Sequence, residues 1–124
     1  MLNKTKKILV VEDEKSLCDV IRFKLEHLGI ETIVAGSAEE AIEILKKDGV
    51  DLVWLDLKLP KMNGIDFLEI LKSNQEWKDK KVIVVSVSGS DEIKEKTKNL
   101  GVIDYIVKSE LKLDDIIKRV IAIA

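Results

Sequence analysis

The sequence predicts one α/β domain over residues 1–124: a doubly wound, three-layer sandwich of five parallel strands in the order 2-1-3-4-5, with five helices. Three observations predict it. Short β-branched apolar runs alternate with segments of helical spacing along the whole chain. The runs carry apolar residues on both faces, as strands covered by helices on both sides require. In H-L-G-I, K-D-G-V and N-L-G-V a glycine follows a helical pattern and precedes an apolar run, which is where a helix needs a left-handed terminating residue. Right-handed crossovers then put helices on both sides of the sheet.

The first strand is read at Ile8–Val11, and the first helix from Leu17, Ile21, Leu25 and Leu28 on one face. Cys18 falls on the apolar side of that helix as core filler. His27, beside Gly29, reads as a solvent-facing or capping residue. Thr32–Val34 is the second strand. Ser37 and Glu40 form a capping-box pattern that opens a second helix carrying Ala38, Ala41, Ile42 and Leu45. The third strand is Leu52–Leu55, with Trp54 packed beneath a helix, and Phe67, Leu68 and Leu71 mark the third helix. Trp77 lies in a polar loop and is open to either burial or exposure. Val82–Val85 is the fourth strand. The fourth helix (Ile93, Thr97, Leu100) is charge-rich and the least apolar. Ile103–Val107 is the fifth strand, and Leu113, Ile116, Ile117, Val120 and Ile121 give the fifth helix, with Ile123 beyond its core-facing stripe.

Composition excludes several function classes. The net charge is -2 with both signs interspersed, which speaks against direct nucleic-acid binding or an anionic-membrane surface. The basic runs K-T-K-K (4–7) and K-D-K-K (78–81) read as solvated strand flanks. One cysteine excludes an intramolecular disulfide framework and fits a reducing cytoplasm. Neither a signal region nor a run of membrane-spanning length occurs. Heavy use of Lys, Glu and Ile suits a heat-stable protein.

In a doubly wound sheet, sites form beyond the C-terminal ends of the strands. Strand one is followed by Glu12-Asp13-Glu14, strand three by Asp56, strand four by Ser86 and strand five by Lys108. Strand two offers only Ala35-Gly36 and lies at the sheet's edge. Three crowded carboxylates repel unless a cation intervenes. Glu12, Asp13 and Asp56 together offer oxygen ligands to a hard divalent ion such as Mg²⁺. With an ammonium at Lys108 and a hydroxyl at Ser86, the set suits a phosphoryl group, with Asp56 as an in-line nucleophile.

These residues resemble the receiver domain of two-component response regulators over the whole chain, in the manner of the chemotaxis-type single-domain regulators with their flavodoxin-like fold. V-V-E-D-E is similar to that family's acidic pair, and L-D-L-K-L-P-K-M-N-G to its phosphoacceptor signature, with a proline four and a glycine eight after the aspartate. Ser86 stands thirty residues past Asp56, Lys108 a further twenty-two, and Tyr105 three before the lysine, matching the family's hydroxyl, lysine and aromatic switch. The resemblance implies that Asp56 takes a phosphoryl group from a sensor histidine kinase or a histidine phosphotransfer protein. It implies Mg²⁺ (or Mn²⁺) held by Asp13, Asp56 and the Lys58 backbone carbonyl, with Glu12 acting through water. Lys108 pairs with Asp56 at rest and with the phosphoryl oxygens afterwards. Ser86 then moves, Tyr105 turns inward, and the face of helix 4, strand 5 and helix 5 signals to a downstream protein, a missing output domain or a second copy in a homodimer. Its only chemistry would be self-catalysed phosphotransfer and autodephosphorylation, so it is not an enzyme in the wider sense.

Three departures qualify the resemblance. Val87 stands where the family favours alanine or glycine, and a branched side chain there narrows access, slowing phosphorylation or dephosphorylation. Ser109 replaces the usual proline after the lysine; a cis bond to serine costs about 3 kcal/mol, so the Lys108–Ser109 bond is expected to be trans. Lys58 places an ammonium two residues past the nucleophile, either aiding a phosphoryl donor or pointing to water. The main rival is a receiver-shaped scaffold not regulated by phosphate, which the complete Asp–Asp–Ser–Lys set opposes. A haloacid-dehalogenase-type phosphohydrolase needs an aspartate where Lys58 stands, and in a flavin carrier V-E-D-E would repel the cofactor's phosphate. With no output domain after the fifth helix, the chain reads as a stand-alone regulator or an excised receiver.

Overall fold

The computed structural model describes residues 6–124; Lys4 of the first basic run lies outside them. Along the chain come β1 (Lys7–Val11), α1 (Lys15–His27), β2 (Glu31–Ala35), α2 (Ala38–Lys47), β3 (Leu52–Leu55), α3 (Gly64–Ser73), β4 (Lys81–Ser86), α4 (Asp91–Asn99), β5 (Asp104–Val107) and α5 (Leu113–Ile123), with a short 3₁₀ turn at Lys108–Glu110 before α5. The sheet order is β2-β1-β3-β4-β5 and every pairing is parallel, as the alternation of runs and helical patterns predicts.

Successive strand residues point to opposite faces, so the sheet divides the core in two. On one face Leu9, Val11, Val53 and Leu55 pack against Ala41 and Leu45 of α2 and Phe67, Leu68 and Leu71 of α3. On the other, Ile8, Val10, Trp54, Ile83 and Val85 meet Ile21 and Leu25 of α1 and Ile116, Ile117 and Val120 of α5. Trp77 is buried against the first of these clusters. α4 sinks only Thr97 into the interior, in keeping with its weak apolar stripe.

Capping chemistry sets several helix starts. Ser37 accepts from the Glu40 amide at 3.1 Å, Asn63 from the Asp66 amide at 2.9 Å, and Ser90 from the Ile93 amide at 3.2 Å. Gly29 (φ 84°) and Gly101 (φ 93°) terminate α1 and α4 in the left-handed region. Gly49 does not do this for α2. The chain leaves that helix through an extended Asp48 (φ -119°, ψ 140°), whose amide still reaches the Ile44 carbonyl.

Other expectations are corrected. Leu28, expected on the apolar face of α1, is 56% exposed, because the helix ends at His27 and the turn through Gly29 takes Leu28 away from the core. Ile103 precedes β5 and is exposed, although its amide continues the ladder to Val82. Ile123 packs partly against the α1/α5 core, and its carbonyl accepts from Lys81. The second basic run is more than a solvated flank: Lys80 Nζ donates to the Val50 carbonyl at 2.8 Å, tying the β4 approach to that of β3. His27 is exposed and stacks on Phe23 at 6.3 Å between ring centroids.

Candidate functional site

The ladder runs one residue past two strands. Glu12 N–H donates to the Ala35 carbonyl at 2.9 Å, and Asp56 N–H donates to the Val11 carbonyl at 3.0 Å. Both residues are thereby held as continuations of β1 and β3, and their side chains are only 2% and 4% exposed. Ser86 ends β4 opposite Val107, the last residue of β5, and Lys108 follows directly. The parallel register thus brings four strand ends to one edge, as the positions after the apolar runs predict.

There the ammonium of Lys108 lies 2.6 Å from Glu12 Oε1 and 3.2 Å from Asp56 Oδ2. The other Asp56 oxygen accepts from the Lys58 amide at 3.1 Å, and the other Glu12 oxygen from the Glu14 amide at 3.0 Å. Glu12, Asp13 and Asp56 each offer an oxygen within 4.8 Å of the others. Asp13 is exposed and has no ion pair among the described residues. One ammonium against three carboxylates leaves a local negative excess. An all-oxygen donor set of that kind fits a hard divalent cation. Burial opposes the charge on Lys108, but its hydrogen bond to Glu12 and the charges of Asp56 and Glu12 outweigh that and hold its pKa above the ordinary lysine value. Such a pair stabilises the fold only as far as its bonds offset the desolvation of both partners.

The loop from Asp56 to α3 is tightly built. Gly64 N–H donates to the Leu57 carbonyl at 2.8 Å, and a Cβ at Gly64 would lie 2.4 Å from Leu57 Cα and 2.8 Å from the Asp56 carbonyl. Only glycine allows that approach. Lys61, just past Pro60, holds a left-handed φ of 60° that β-carbon sterics disfavour. The Lys108–Ser109 bond is trans, since no cis peptide occurs among the described residues.

Around β5, Tyr105 O–H donates to the Ser88 carbonyl at 2.8 Å. Its ring lies so close to Gly89 that a Cβ there would come within 2.5 Å of the phenol oxygen. Burial pushes the Tyr105 phenol up; the nearby Ser86 hydroxyl acts in the opposite sense, and the Asp56 charge adds to the rise. Lys94 of α4 sits over the ring, 5.9 Å from its centroid. Val87 stands 58% exposed just after β4, and Lys58 is exposed on the loop.

Sequence reasoning did not foresee that Lys108 lies nearer Glu12 than Asp56, nor the roles of Ser88 and Gly89. The only signal was the glycine in S-V-S-G-S, whose use depends on a ring brought in from β5. A concavity of about 610 Å³ beside the C-terminal half of α1 involves none of the carboxylate–lysine cluster.

A sequence profile described as the response regulator receiver domain matches residues 8–121. The chain is 36% identical over 102 residues to the transcriptional regulatory protein CpxR of Escherichia coli (strain K12), covering 82% of this chain and 42% of that protein. It therefore spans under half the length of this curated relative. The crystal structure of a CheY-like response regulator receiver domain protein from Methanospirillum hungatei JF-1 is similar at a TM-score of 0.85 and 28% identity, covering 94% of this chain and 91% of that one. That of the response regulator TrrA from Thermotoga maritima, in complex with Mg(2+)-BeF, is similar at a TM-score of 0.81 and 26% identity, covering 97% and 100%.

Proposed function

The chain belongs to the response regulator receiver domain family, and from that premise we propose that Asp56 is the residue that accepts a phosphoryl group in phosphorelay signalling. One observation carries the assignment: a buried carboxylate at a strand end, bonded to Lys108 Nζ and grouped with Glu12 and Asp13. A buried carboxylate held in that setting has a partner for its charge and an edge at which to react.

The donor is a phosphohistidine of a sensor histidine kinase or a phosphotransfer protein. An Asp56 carboxylate oxygen attacks phosphorus while the phosphorus–nitrogen bond breaks. The imidazole leaves with the electron pair and takes up a proton, and an acyl phosphate remains on Asp56. Lys108, already between Glu12 and Asp56, neutralises phosphoryl oxygens, and Ser86 supplies a hydroxyl donor from β4. Asp13, Asp56 and the Lys58 carbonyl would hold Mg²⁺ or Mn²⁺, with Glu12 acting through water; the all-oxygen cluster favours such an ion, and TrrA was crystallised with Mg(2+)-BeF. When bound, the ion supplies further neutralisation of the phosphoryl charge.

Readout would pass through Ser86 and Tyr105 to the α4–β5–α5 face, which presents the exposed Ile103 and an ion pair between Asp104 and Arg119. That face would meet a downstream protein, an output domain or a second copy. Val87 and Lys58 would tune access to Asp56. Residues 1–124 would act as one receiver unit in the cytoplasm, without direct contact with nucleic acid or membrane, catalysing only its own phosphorylation and dephosphorylation. No helix among the described residues is long and apolar enough to cross a membrane.

Intact mass after incubation with acetyl phosphate and Mg²⁺ tests the assignment. One phosphoryl adduct is expected in the wild type and none in Asp56→Asn or with a chelator. An adduct that persists in Asp56→Asn overturns it.

A further inference from the structure

Glu12 is held at every polar atom. Its N–H donates to the Ala35 carbonyl at 2.9 Å, and its own carbonyl accepts from the Cys18 thiol at 3.0 Å. Of its carboxylate oxygens, Oε2 accepts from the Glu14 amide at 3.0 Å and Oε1 from Lys108 Nζ at 2.6 Å. The side chain is 2% exposed, so these donors rather than solvent set its orientation. Asp56 accepts from the same ammonium at 3.2 Å. Charge-assisted N–H···O bonds are about 2.7–2.9 Å long and weaken as they stretch. Of the two bonds to Lys108, the one to Glu12 is therefore the stronger.

We propose that Glu12 is a positioning residue for phosphoryl transfer. It anchors Lys108 at rest, keeps the ammonium from masking the Asp56 nucleophile, and aims it at the incoming phosphoryl oxygens. An ammonium bound tightly to an attacking oxygen withdraws the charge that makes that oxygen nucleophilic. A competing anchor on Glu12 leaves Asp56 the more reactive. A lysine ammonium has three donors. Glu12 and Asp56 take two of them, and the third remains for a phosphoryl oxygen. The long lysine side chain is thus ordered before reaction, and its charge needs no reorganisation when negative charge develops.

The effect on transfer rests on the reading of Asp56 as phosphoacceptor; the anchoring of Lys108 does not. The role is also separate from a through-water contact with a cation, whose loss saturation with the ion makes good.

Two experiments on the whole chain test this. In the first, equilibrium unfolding in chelator compares the wild type, Glu12→Gln, Lys108→Met and the double variant, with a parallel set built on Asp56→Asn. Each double-mutant cycle isolates one pair. The Glu12–Lys108 coupling is expected to exceed the Asp56–Lys108 coupling at least about threefold in the folded-to-unfolded ratio. Equal or reversed couplings overturn the anchor. In the second, intact mass follows the rate of adduct formation with acetyl phosphate as Mg²⁺ is raised to saturation. At saturation Glu12→Gln is expected to remain about tenfold slower than the wild type, and to change the rate less than about twofold where Lys108→Met is already present. A rate that recovers fully at saturating Mg²⁺ leaves Glu12 only the cation role. An equal loss in both backgrounds shows that it does not act through Lys108. Either result overturns the proposal. If Lys108→Met forms no adduct, the Mg²⁺ series with Lys108 in place decides. Where Glu12→Gln does not fold, Glu12→Asp replaces it, keeping the charge and losing the reach. A wild type without any adduct rejects the Asp56 assignment, and the unfolding cycles then decide the anchor alone.

Discussion

A single ammonium, that of Lys108, bridges two buried carboxylates, 2.6 Å from Glu12 and 3.2 Å from Asp56. Glu12 therefore competes with Asp56 for the lysine, and the lysine competes with any cation for both carboxylates. Lys108→Met removes that competitor and is expected to tighten Mg²⁺ binding about tenfold, a modest share of one short-range charge interaction. Calorimetric titration without a phosphoryl donor reads it; unchanged or weaker binding contradicts the bridge. The lysine's raised pKa also sets a pH window. Its contribution to stability is complete below the ordinary value of 10.5 and is lost as pH rises through the higher folded value. Denaturant titrations should show the wild-type and variant stabilities drawing together only above pH 10.5.

Asp13 adds negative charge beside Glu12 and Asp56 without an ion pair of its own among the described residues. In chelator, Asp13→Asn is expected to raise the melting temperature by about 2 °C, equivalent to about 0.5 kcal/mol at this exposed position. Adding Mg²⁺ should stabilise the wild type and leave the variant nearly unmoved, because a ligand stabilises only the state that binds it. Equal responses to Mg²⁺ would remove Asp13 from the cation site.

Gly64 admits no β-carbon, since one would sit 2.4 Å from Leu57 Cα against rigid backbone. Gly64→Ala is expected to destabilise the fold by about 2–3 kcal/mol through overpacking. Guanidinium denaturation measures this, and a loss below about 0.5 kcal/mol, the range of ordinary surface substitutions, would show that the loop yields freely.

Gly89 meets the movable end of Tyr105, so there the side chain gives way rather than the backbone. Gly89→Ala should expel the ring and break its bond to the Ser88 carbonyl. Burial is the main cause of the raised phenol pKa, so expulsion should bring it back toward the ordinary value of 10.0. Tyr105 is the sole tyrosine, which makes ultraviolet titration unambiguous. A pKa that stays raised would mean the ring remains in place.

Val87 is exposed directly after β4, and the proposal that Asp56 is the phosphoacceptor gives its side chain a part in access. Val87→Ala is expected to speed phosphorylation by acetyl phosphate or loss of the phosphoryl group about two- to tenfold, less than 1.4 kcal/mol of barrier. Two unchanged rates would show that this side chain does not limit access.

The sequence by itself determined the alternation of strands and helices, the order of the sheet and which residues stand at its C-terminal edge. Periodicity, caps and glycine signals are local, and parallel pairing of strands apolar on both faces leaves few topologies. Asp56 and Lys108 could be placed at one edge because each follows directly on an apolar run. Local signals failed where a neighbour decided the outcome. Gly49 follows a helix like Gly29 and Gly101, yet the extended Asp48 makes the exit. Leu28 keeps the apolar spacing, yet the turn beside it takes it into solvent. Only the tertiary structure decided that Lys108 is shared with Glu12, and that Gly64 and Gly89 are pressed by backbone and ring. The physical reason is one of distance. Charge sharing and close packing vary over fractions of an ångström between segments far apart in the chain, and neither leaves a period in the sequence.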